Sequence, residues 1–265
     1  MTESDFIFDG YKLSDFGYII THDGLFDETG AVSAMKFTNI SGAQSDIDRK
    51  VAHTYDEKYH CDITIMKNPC QDGDLNLTNN EISRMARWLC RKEYKWFRWI
   101  DDIGQDEIWW EVQIAMDKVM LGDSVIGLTL HVTANRPYGL SQLYEYEWVG
   151  GLDTTTTLFV QSDEEGYIYP DVTITVKGGG TVSITNLYEN RTTEIANCTS
   201  SEVLTLRGGD TKQITTTIAK HNLSQDFNYK FLRLCNRWQK NENKLVISPN
   251  ANVSISYRGK RKVGI

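Results

Sequence analysis

Cysteine is scarce in this sequence, and the spacing of the few cysteines excludes a dense disulfide framework. The chain has five, an odd number, and no two are spaced as Cys-x-x-Cys: Cys61, Cys70, Cys90, Cys198 and Cys235. Without paired spacing the sequence indicates neither a set of disulfides nor a zinc site. We therefore expect reduced thiols, most of them in a core.

Long apolar segments are missing as well. No run approaches the roughly 18 apolar residues that span a membrane. The opening residues, Met1–Asp5, are acidic and lack the apolar core of a signal peptide. We expect a protein that has no membrane partner and that folds in a cytoplasm.

Catalytic motifs are also absent. The sequence contains no Gly-x-Ser-x-Gly elbow, no His-Glu-x-x-His pair, no P-loop and no dinucleotide-binding glycine motif after a strand. Gly178–Gly180 follow a lysine, as in a phosphate loop, but they lie between two predicted strands with no helix to supply a positive end. They predict a hairpin turn instead. We expect no catalytic residue and no cofactor.

Candidate metal ligands are poorly placed in the sequence. His60 and Cys61 are neighbours that would point to opposite faces of a strand, and His53 belongs to a separate polar segment. Three acidic groups lack the ligand count and the glycine of a calcium-binding loop. These groups are Asp46 with Asp48, Asp72 with Asp74, and Asp163 to Glu165. We therefore expect no metal site.

Apolar and aromatic residues, by contrast, are plentiful. Apolar residues make up 40% of the chain, charged residues 24% and aromatic residues 11%, with seven Trp and thirteen Tyr. This composition excludes wholesale disorder, because enough apolar surface is present to form a core. The aromatic content favours half-buried strands and subunit interfaces.

Charge is negative overall and unevenly distributed. The net charge of −8 would repel nucleic acid from the molecule as a whole. Through Gly150 there are 14 basic and 25 acidic residues, a net charge of −11, and after Gly150 there are 14 and 11, a net charge of +3. In a chain of 265 residues, two such regimes indicate two domains.

The first part predicts a β-rich domain with a single clear helix. Phe6–Leu13 is typical of two short strands around a turn, and Tyr59–Met66 alternates as a strand. Thr78 and Glu81 fit a capping box, and the apolar residues after them recur at helical spacing, which predicts a helix near 79–92. Further strands are predicted at 94–100, 107–116 and 125–133.

Two features of this part are candidate subunit contacts. The polar stretch at Ile40–Thr54 predicts a long exposed loop, and ordered loops of that length are typical binding devices. Trp109 and Trp110 are adjacent on a predicted strand, so only one of them can enter the same core. The interface candidates are Ile40, Ile47, Arg49, Val51, Trp109 and Trp110.

The second part predicts a β-sandwich. Apolar periodicity lapses at Gly150–Thr157, which marks a domain boundary, and short strands then follow at intervals of roughly ten residues. We thus predict a mostly β protein with an N-terminal α+β or β-sandwich domain. The predicted organisation is a domain at 1–149, a linker at 150–165 and a β-sandwich at 166–265.

Taken in order, these features resemble the distal tail protein family of long-tailed bacteriophages. In the first part the similar segments are Phe6–Gly10, Ser14–Gly17, the helix Ile82–Leu89 ending in Arg-Trp-Leu, Tyr94–Asp102, and the strand leading to Asn135–Tyr138. In the second part Glu165–Ile174 and Val182–Asn186 are similar to the start of the family's galectin-like, jelly-roll-like sandwich. Leu245–Ser256 is similar to its end.

The resemblance implies a structural protein of the virion tail and not an enzyme. It implies a hexameric ring formed by the N-terminal domain, with a channel through which DNA passes, between the tail tube and the baseplate or tail-tip hub. The implied partners are other copies of the chain, the tail tube protein, the tail-associated hub protein, the tape-measure protein and receptor-binding proteins. Assembly is expected in the bacterial host cytoplasm.

Two other functions stay open. A carbohydrate-binding adhesin or receptor-binding tail protein would need an aromatic platform, for which Tyr167, Tyr169, Tyr188 and Trp238 are available. A hydrolase would need two carboxylates in one cleft, roughly 5 to 9.5 Å apart.

Overall fold

The computed structural model of the chain describes residues 5–22, 35–41, 48–55, 58–71, 73–100, 107–151, 155–209 and 211–262. In these residues the protein is mostly β, which confirms the predicted fold class. The chain divides into two units, the first formed by Met1–Leu140 with Arg261–Ile265 and the second by Ser141–Lys260. Each unit has its own hydrophobic core.

The first unit is built on a seven-stranded antiparallel sheet with the strand order β2-β1-β7-β8-β9-β6-β3. The helix α1 spans Asn79–Leu89, and a short 3-10 helix spans Ser14–Phe16. The strands of this unit are β1 (Asp5–Phe8), β2 (Tyr11–Lys12), β3 (Tyr18–His22), β4 (Met35–Ser41), β5 (Asp48–Tyr55), β6 (His60–Lys67), β7 (Lys95–Ile100), β8 (Trp110–Leu121), β9 (Ser124–Ala134) and β10 (Gly139–Leu140).

Helix α1 begins where its sequence predicts. The Thr78 hydroxyl accepts from the Glu81 amide at 3.3 Å, and the Glu81 carboxylate accepts from the Thr78 amide at 2.7 Å. This reciprocal capping box satisfies two backbone donors that the first turn of a helix cannot satisfy internally. The helix ends at Leu89, three residues before the predicted end. It buries Met85, Trp88 and Leu89, so one face of the helix covers the sheet.

The sheet of the first unit has one apolar and one polar face, because its strands alternate. On β6, Ile63 and Ile65 are buried while Asp62 and Thr64 point the other way, and on β9 His131 lies between two buried residues. Successive side chains of a strand point to opposite faces, so this alternation sends the apolar set to a single core. The inward residues pack with the helix. Asp62 and His131 belong to the outward set, and both side chains are partly exposed.

The predicted loop at Ile40–Thr54 is wrong in its secondary structure. β4 and β5 pair in antiparallel register from Met35↔Tyr55 to Ser41↔Asp48, so residues 40–41 and 48–54 of this stretch are paired strands, and 42–47 lie outside the described residues. We call the two paired strands the β4–β5 hairpin. In the described residues the two strands pair with each other and do not join the seven-stranded sheet. Strands are predicted from sequence by the alternation of apolar and polar residues. Two strands that do not belong to a core-forming sheet need no such alternation, so nothing in the sequence indicated them.

The second unit is a β-sandwich. A five-stranded sheet with the order β11-β21-β14-β17-β18 and a four-stranded sheet with the order β12-β20-β15-β16 enclose one core. Its elements are β11 (Tyr144–Trp148), β12 (Thr155–Phe159), β13 (Gly166–Ile168), β14 (Asp171–Val176), β15 (Gly180–Asn186), β16 (Arg191–Cys198), β17 (Val203–Arg207), β18 (Gln213–Thr216), α2 (Leu223–Asp226), β19 (Leu234–Asn236), β20 (Glu242–Ile247) and β21 (Ala251–Tyr257). The short strand β22 (Lys260–Arg261) lies where the sequence passes from the second unit back to the first.

The second unit differs from the prediction in where it begins. Its first strand, β11, precedes the predicted boundary at Gly150 and pairs along its whole length with β21. The predicted linker at 150–165 contains β12, which pairs with β20. Thr154–Thr157 are small and polar residues, and such a sequence predicts a linker. β12 is an edge strand, however, and it places only one side chain in the core, that of Leu158.

Two further local predictions are corrected. Gly178–Gly180 do not close a hairpin, because β14 pairs with β17 and β21 whereas β15 pairs with β16 and β20. The glycines instead carry the chain from one sheet to the other. The sequence predicts one helix, whereas the structure has a second, the one-turn helix α2. This helix is too short for helical periodicity to be visible in the sequence.

Candidate contact surfaces and a buried polar cluster

The two adjacent tryptophans occupy different environments. Trp110 is buried in the first core and stacks on Tyr59, with 5.1 Å between the ring centroids. Trp109 is half-buried, with the Arg98 guanidinium 5.2 Å from its ring centroid. The rings of Trp109 and Trp96 are perpendicular, with 6.3 Å between their centroids. Of the pair, Trp109 is therefore the one that reaches the surface.

The other interface candidates lie on the β4–β5 hairpin. Ile40 in β4 is the direct cross-strand partner of Arg49 in β5, and Val51 follows two residues later on the same strand. Ile47 lies outside the described residues. The structure thus places three of the candidates on one two-stranded ribbon and a fourth, Trp109, next to β8 in the main sheet.

An exposed apolar tip was missed by the sequence reasoning. β8 and β9 form a long hairpin whose turn contains Gly122 at φ 59°. At its end Met120 is 52% exposed and Leu121 is 69% exposed. Apolar residues at an exposed turn are a typical feature of protein contact surfaces. Prediction placed Met116 at the end of the strand, so these two residues were not considered.

The polar face of the sheet carries a histidine between two carboxylates. His131 Nδ1 lies 2.7 Å from Asp62 Oδ1, and His131 Nε2 lies 3.1 Å from Asp117 Oδ2. These residues come from three neighbouring strands, β6, β9 and β8. Hydrogen bonds to the two carboxylates raise the pKa of His131 above its usual value.

A pocket of about 260 Å³ lies beside the start of α1. Its central feature is the ion pair between Lys67 Nζ and Glu81 Oε1 at 2.9 Å, and Lys67 is almost completely buried. Hydrogen bonds from Lys67 and then from Thr78 lower the pKa of Glu81 to about 2. The pair neutralises its own charges, so this pocket has a structural role in joining the helix to β6.

The aromatic residues of the second unit do not form one platform. The Arg233 guanidinium lies 3.9 Å from the ring centroid of Tyr167, and Lys212 Nζ lies 3.8 Å from that of Tyr169. Each of these rings therefore has one face covered by a cation. Two of the four aromatic residues considered for sugar stacking are accordingly restricted to their other face.

The remaining two aromatic residues lie at or near a second pocket, of about 420 Å³. Tyr188 lines it together with the exposed Phe159 and Glu242. Trp238 is 80% exposed and lies on the turn that leads to Lys240, another lining residue. The pocket thus brings an exposed aromatic side chain, Phe159, together with the carboxylate of Glu242 and the amine of Lys240.

A buried polar cluster in the second unit joins residues that are distant in sequence. Cys198, Glu202 and His221 have ligand-type atoms that all lie within 4.8 Å of one another. Glu202 Oε1 lies 2.5 Å from His221 Nδ1 and accepts from the Thr216 hydroxyl at the same distance. His221 Nε2 lies 3.0 Å from the Ala196 carbonyl oxygen. No motif spacing signals this set, which only the fold assembles.

The environment of the cluster shifts two of its pKa values. Burial raises the pKa of the Cys198 thiol to about 11, and the nearby Glu202 carboxylate adds to this effect. Burial also opposes ionisation of Glu202, but hydrogen bonds from His221, Thr216 and the Thr199 amide together outweigh it and lower the Glu202 pKa. In the protein without a bound ion, the thiol is therefore neutral and the carboxylate is charged.

The metal-ligand candidates from the sequence are not brought together in the described residues. His60 is exposed on β6 and Cys61 is half-buried beside it. Glu164 forms an ion pair with Lys260 at 3.1 Å, and Glu165 accepts from the Trp238 amide at 2.8 Å. His53 lies on β5, apart from the seven-stranded sheet.

The fold defines a class of protein in which a helix-covered β-sheet unit is followed in the sequence by a β-sandwich unit. Residues 1–136 match the family described as phage tail protein N-terminal domain, and residues 138–257 match the phage tail C-terminal domain. The chain belongs to this family of phage tail proteins. It is therefore a protein of the phage tail.

Solved structures share this fold. The Dit protein (gp 19.1) of SPP1, described as a paradigm of the hub adsorption apparatus of phages that infect Gram-positive bacteria, superposes with a TM-score of 0.63 at 10% identity, covering 96% of this chain and 98% of that one. A chain of the phage P2 baseplate in its activated conformation with Ca superposes with a TM-score of 0.50 at 7% identity, covering 97% of this chain and 98% of that one. The predicted resemblance to distal tail proteins is confirmed.

The search among curated proteins gave no match. Among the helices of the described residues, none has the length and apolar character needed to cross a membrane.

Proposed function

We propose that the protein forms a hexameric ring through its first unit and joins the tail tube to the baseplate or tail-tip hub, with DNA passing through the channel of the ring. The observation that carries this proposal is the likeness to SPP1 Dit along nearly the whole of both chains. The proposed partners are the tail tube protein, the hub protein, the tape-measure protein and receptor-binding proteins. Assembly takes place in the host cytoplasm.

The first unit offers two different surfaces for ring closure. A cyclic ring needs two complementary patches on each subunit, because the contact between neighbours is heterologous. One candidate patch is the β4–β5 hairpin with Ile40, Arg49 and Val51. The other is the apolar tip formed by Met120 and Leu121. The net charge of −11 through Gly150 would also repel DNA from a channel wall and so favour its sliding.

The two pockets described above do not fit the hydrolase considered from the sequence. The pocket beside α1 contains one carboxylate, Glu81, and the pocket of the second unit contains one, Glu242. Neither supplies the pair of carboxylates that a hydrolase of the considered type needs. The buried Cys198 cluster includes a thiol, a carboxylate and an imidazole, but its side chains are enclosed and offer no surface to a substrate.

The mass of the full-length protein in solution tests the ring. We expect light scattering to give a discrete hexamer, or a multiple of it, over a range of protein and salt concentrations. Leu121→Asp should shift this species toward the monomer, because the substitution places a charge in an apolar contact. Leu143→Asp, at an exposed apolar residue of the second unit, is the matched control and should leave the mass unchanged. A strict monomer, also in the presence of the tail tube protein, would contradict the proposal.

A second candidate function for the second unit is carbohydrate or receptor binding. The specific observation is the pocket lined by Phe159, Tyr188 and Glu242 with Trp238 close to it. Aromatic faces with neighbouring polar groups suit a sugar ring. A glycan array tests this, since Trp238→Ala and Tyr188→Ala should each abolish a specific signal, whereas Tyr229→Ala should leave it intact. Absence of any signal from the intact protein would reject this function.

A further inference from the structure

We propose that Cys198, Glu202 and His221 form a zinc-binding site inside the second unit. The three residues come from separate segments: the end of β16, the turn before β17, and the stretch between β18 and α2. Their side chains are buried. A bound ion would therefore join three pieces of chain at one end of the sandwich.

The donor set suits zinc better than calcium or magnesium. Zinc binds thiolate, imidazole and carboxylate ligands, whereas calcium and magnesium prefer oxygen ligands alone. Zinc–ligand bonds of about 2.0–2.3 Å in a tetrahedron place the ligand atoms about 3.4–3.6 Å apart. The sulfur, carboxylate and imidazole atoms already lie within 4.8 Å of one another. Insertion of the ion requires adjustments of about 1 Å and no change of backbone topology.

The surrounding groups orient the proposed ligands. The Ala196 carbonyl can only accept a hydrogen bond, so His221 Nε2, at 3.0 Å from it, carries a hydrogen atom. Nδ1 lies 2.5 Å from Glu202 Oε1 and is the ring nitrogen that would bind a metal placed between the two residues. A histidine ligand whose second nitrogen donates to a carbonyl is the usual arrangement in metal sites. The Thr216 hydroxyl and the Thr199 amide donate hydrogen bonds to the Glu202 carboxylate and hold it in place.

Charge balance also favours a divalent ion. Binding of zinc replaces the thiol hydrogen of Cys198 and the contact between His221 Nδ1 and Glu202, and the displaced hydrogen leaves to solvent as a proton. The resulting thiolate and the Glu202 carboxylate carry two negative charges, which the ion neutralises, while the imidazole is neutral. Asp226 Oδ2 lies 3.4 Å from His221 Nε2 and is outside the proposed ligand set. A neutral group costs less to bury than an isolated charge. Three protein ligands leave the fourth tetrahedral position to a water molecule.

Cobalt substitution tests the site with a signal that depends on the sulfur. The full-length protein is reduced, treated with a chelator and titrated with Co²⁺ alone. We expect a thiolate-to-cobalt absorption band that saturates at one Co²⁺ per chain and disappears on addition of Zn²⁺. Cys198→Ser should abolish the band, and His221→Gln should lower Co²⁺ affinity by at least about 10-fold. Cys235→Ser is the matched control, because Cys235 is an equally buried thiol of the same unit outside the cluster.

A complementary variant keeps the test decisive if Cys198→Ser does not fold. In this variant Cys198 alone is kept, and the other four cysteines are replaced by serine. It should retain the full band. The proposal is overturned if the unmodified chain gives no band at saturating Co²⁺, or if folded Cys198→Ser keeps the band. The proposal is also overturned if the variant that keeps only Cys198 is folded and shows no thiolate-to-cobalt band.

Discussion

Replacing Glu81 by Gln is expected to destabilise the first unit in a way that depends on pH. One carboxylate oxygen of Glu81 accepts from Lys67 Nζ at 2.9 Å, and the other accepts from the Thr78 amide at 2.7 Å. The residue therefore stabilises a buried amine and caps α1 at the same time. The hydrogen bond from Lys67, followed by those from Thr78, lowers the Glu81 pKa from 4.5 to about 2.

The magnitude follows from these two pKa values. At about 1.4 kcal/mol per pKa unit their difference corresponds to at most about 3 kcal/mol. The Glu81 side chain is 34% exposed, so solvent screening reduces the ionic part. We expect Glu81→Gln to lower the free energy of unfolding by about 1–2 kcal/mol at pH 7, a loss that includes part of the cap. Because the folded pKa is depressed, this stability is present above pH 4.5 and is lost as the pH falls toward 2.

Urea unfolding followed by tryptophan fluorescence measures the effect, since five of the seven tryptophans lie in the first unit. The difference in the free energy of unfolding between wild type and Glu81→Gln should decrease as the pH is lowered from 5 toward 2. Glu93→Gln is the control, because Glu93 is 81% exposed in its ion pair with Lys95 and should contribute less than about 0.5 kcal/mol. A difference in unfolding free energy that does not change with pH would refute the reasoning. So would a Glu93→Gln variant whose unfolding free energy is lowered as much as that of Glu81→Gln.

Three further predictions concern buried and surface polar groups. Asn243→Ala should cost about 2–4 kcal/mol by urea unfolding, because the buried amide both accepts from the Cys235 amide and donates to the Cys235 carbonyl. Trp88→Phe should cost about 1–3 kcal/mol in the same assay, since it removes the indole hydrogen bond to the Phe8 carbonyl but keeps an aromatic ring. His131→Asn should lower stability by a few tenths of a kcal/mol at pH 6 and by less at pH 9. A raised pKa contributes stability that is present below pH 6.5 and lost as the pH rises through the folded value, and His131 is 40% exposed. An equal effect at both pH values would contradict this.

The elements that could be predicted from sequence are those with a local signal. The capping box at Thr78 and Glu81 and the apolar stripe after it lie within twelve residues, and α1 begins where they indicate. β14 and β21 alternate strictly between buried and outward residues, so their pattern is visible without knowledge of the fold. In these cases propensity and tertiary burial favour the same structure.

The features that were missed depend on the fold. β12 is an edge strand of mainly small polar residues, and the β4–β5 ribbon pairs only with itself among the described strands, so neither needs regular apolar spacing. Gly178–Gly180 have the composition of a hairpin turn, and only the pairing of both neighbouring strands shows that they connect two sheets.

The candidate site could be predicted only in part. Ile40, Arg49 and Val51 were chosen for their place in a supposed loop, and their role in subunit contact stays a prediction. Cys198 and His221 are separated by 22 intervening residues and share no recognisable spacing, so nothing in the sequence connects them. Their association requires β16 and the segment before α2 to meet at one end of the sandwich.

The position of β21 has a consequence for the order in which the protein can fold during synthesis. This strand, the last long one of the chain, lies between β11 and β14, inside the five-stranded sheet. The sheet therefore cannot close while Ala251–Tyr257 are still in the ribosome. The strands of the seven-stranded sheet all precede Asn135, so that sheet can assemble while the second unit is still being translated. Until Ala251–Tyr257 have left the ribosome, β11 and β14 lack the strand that lies between them, and their unpaired edges are open to incorrect pairing.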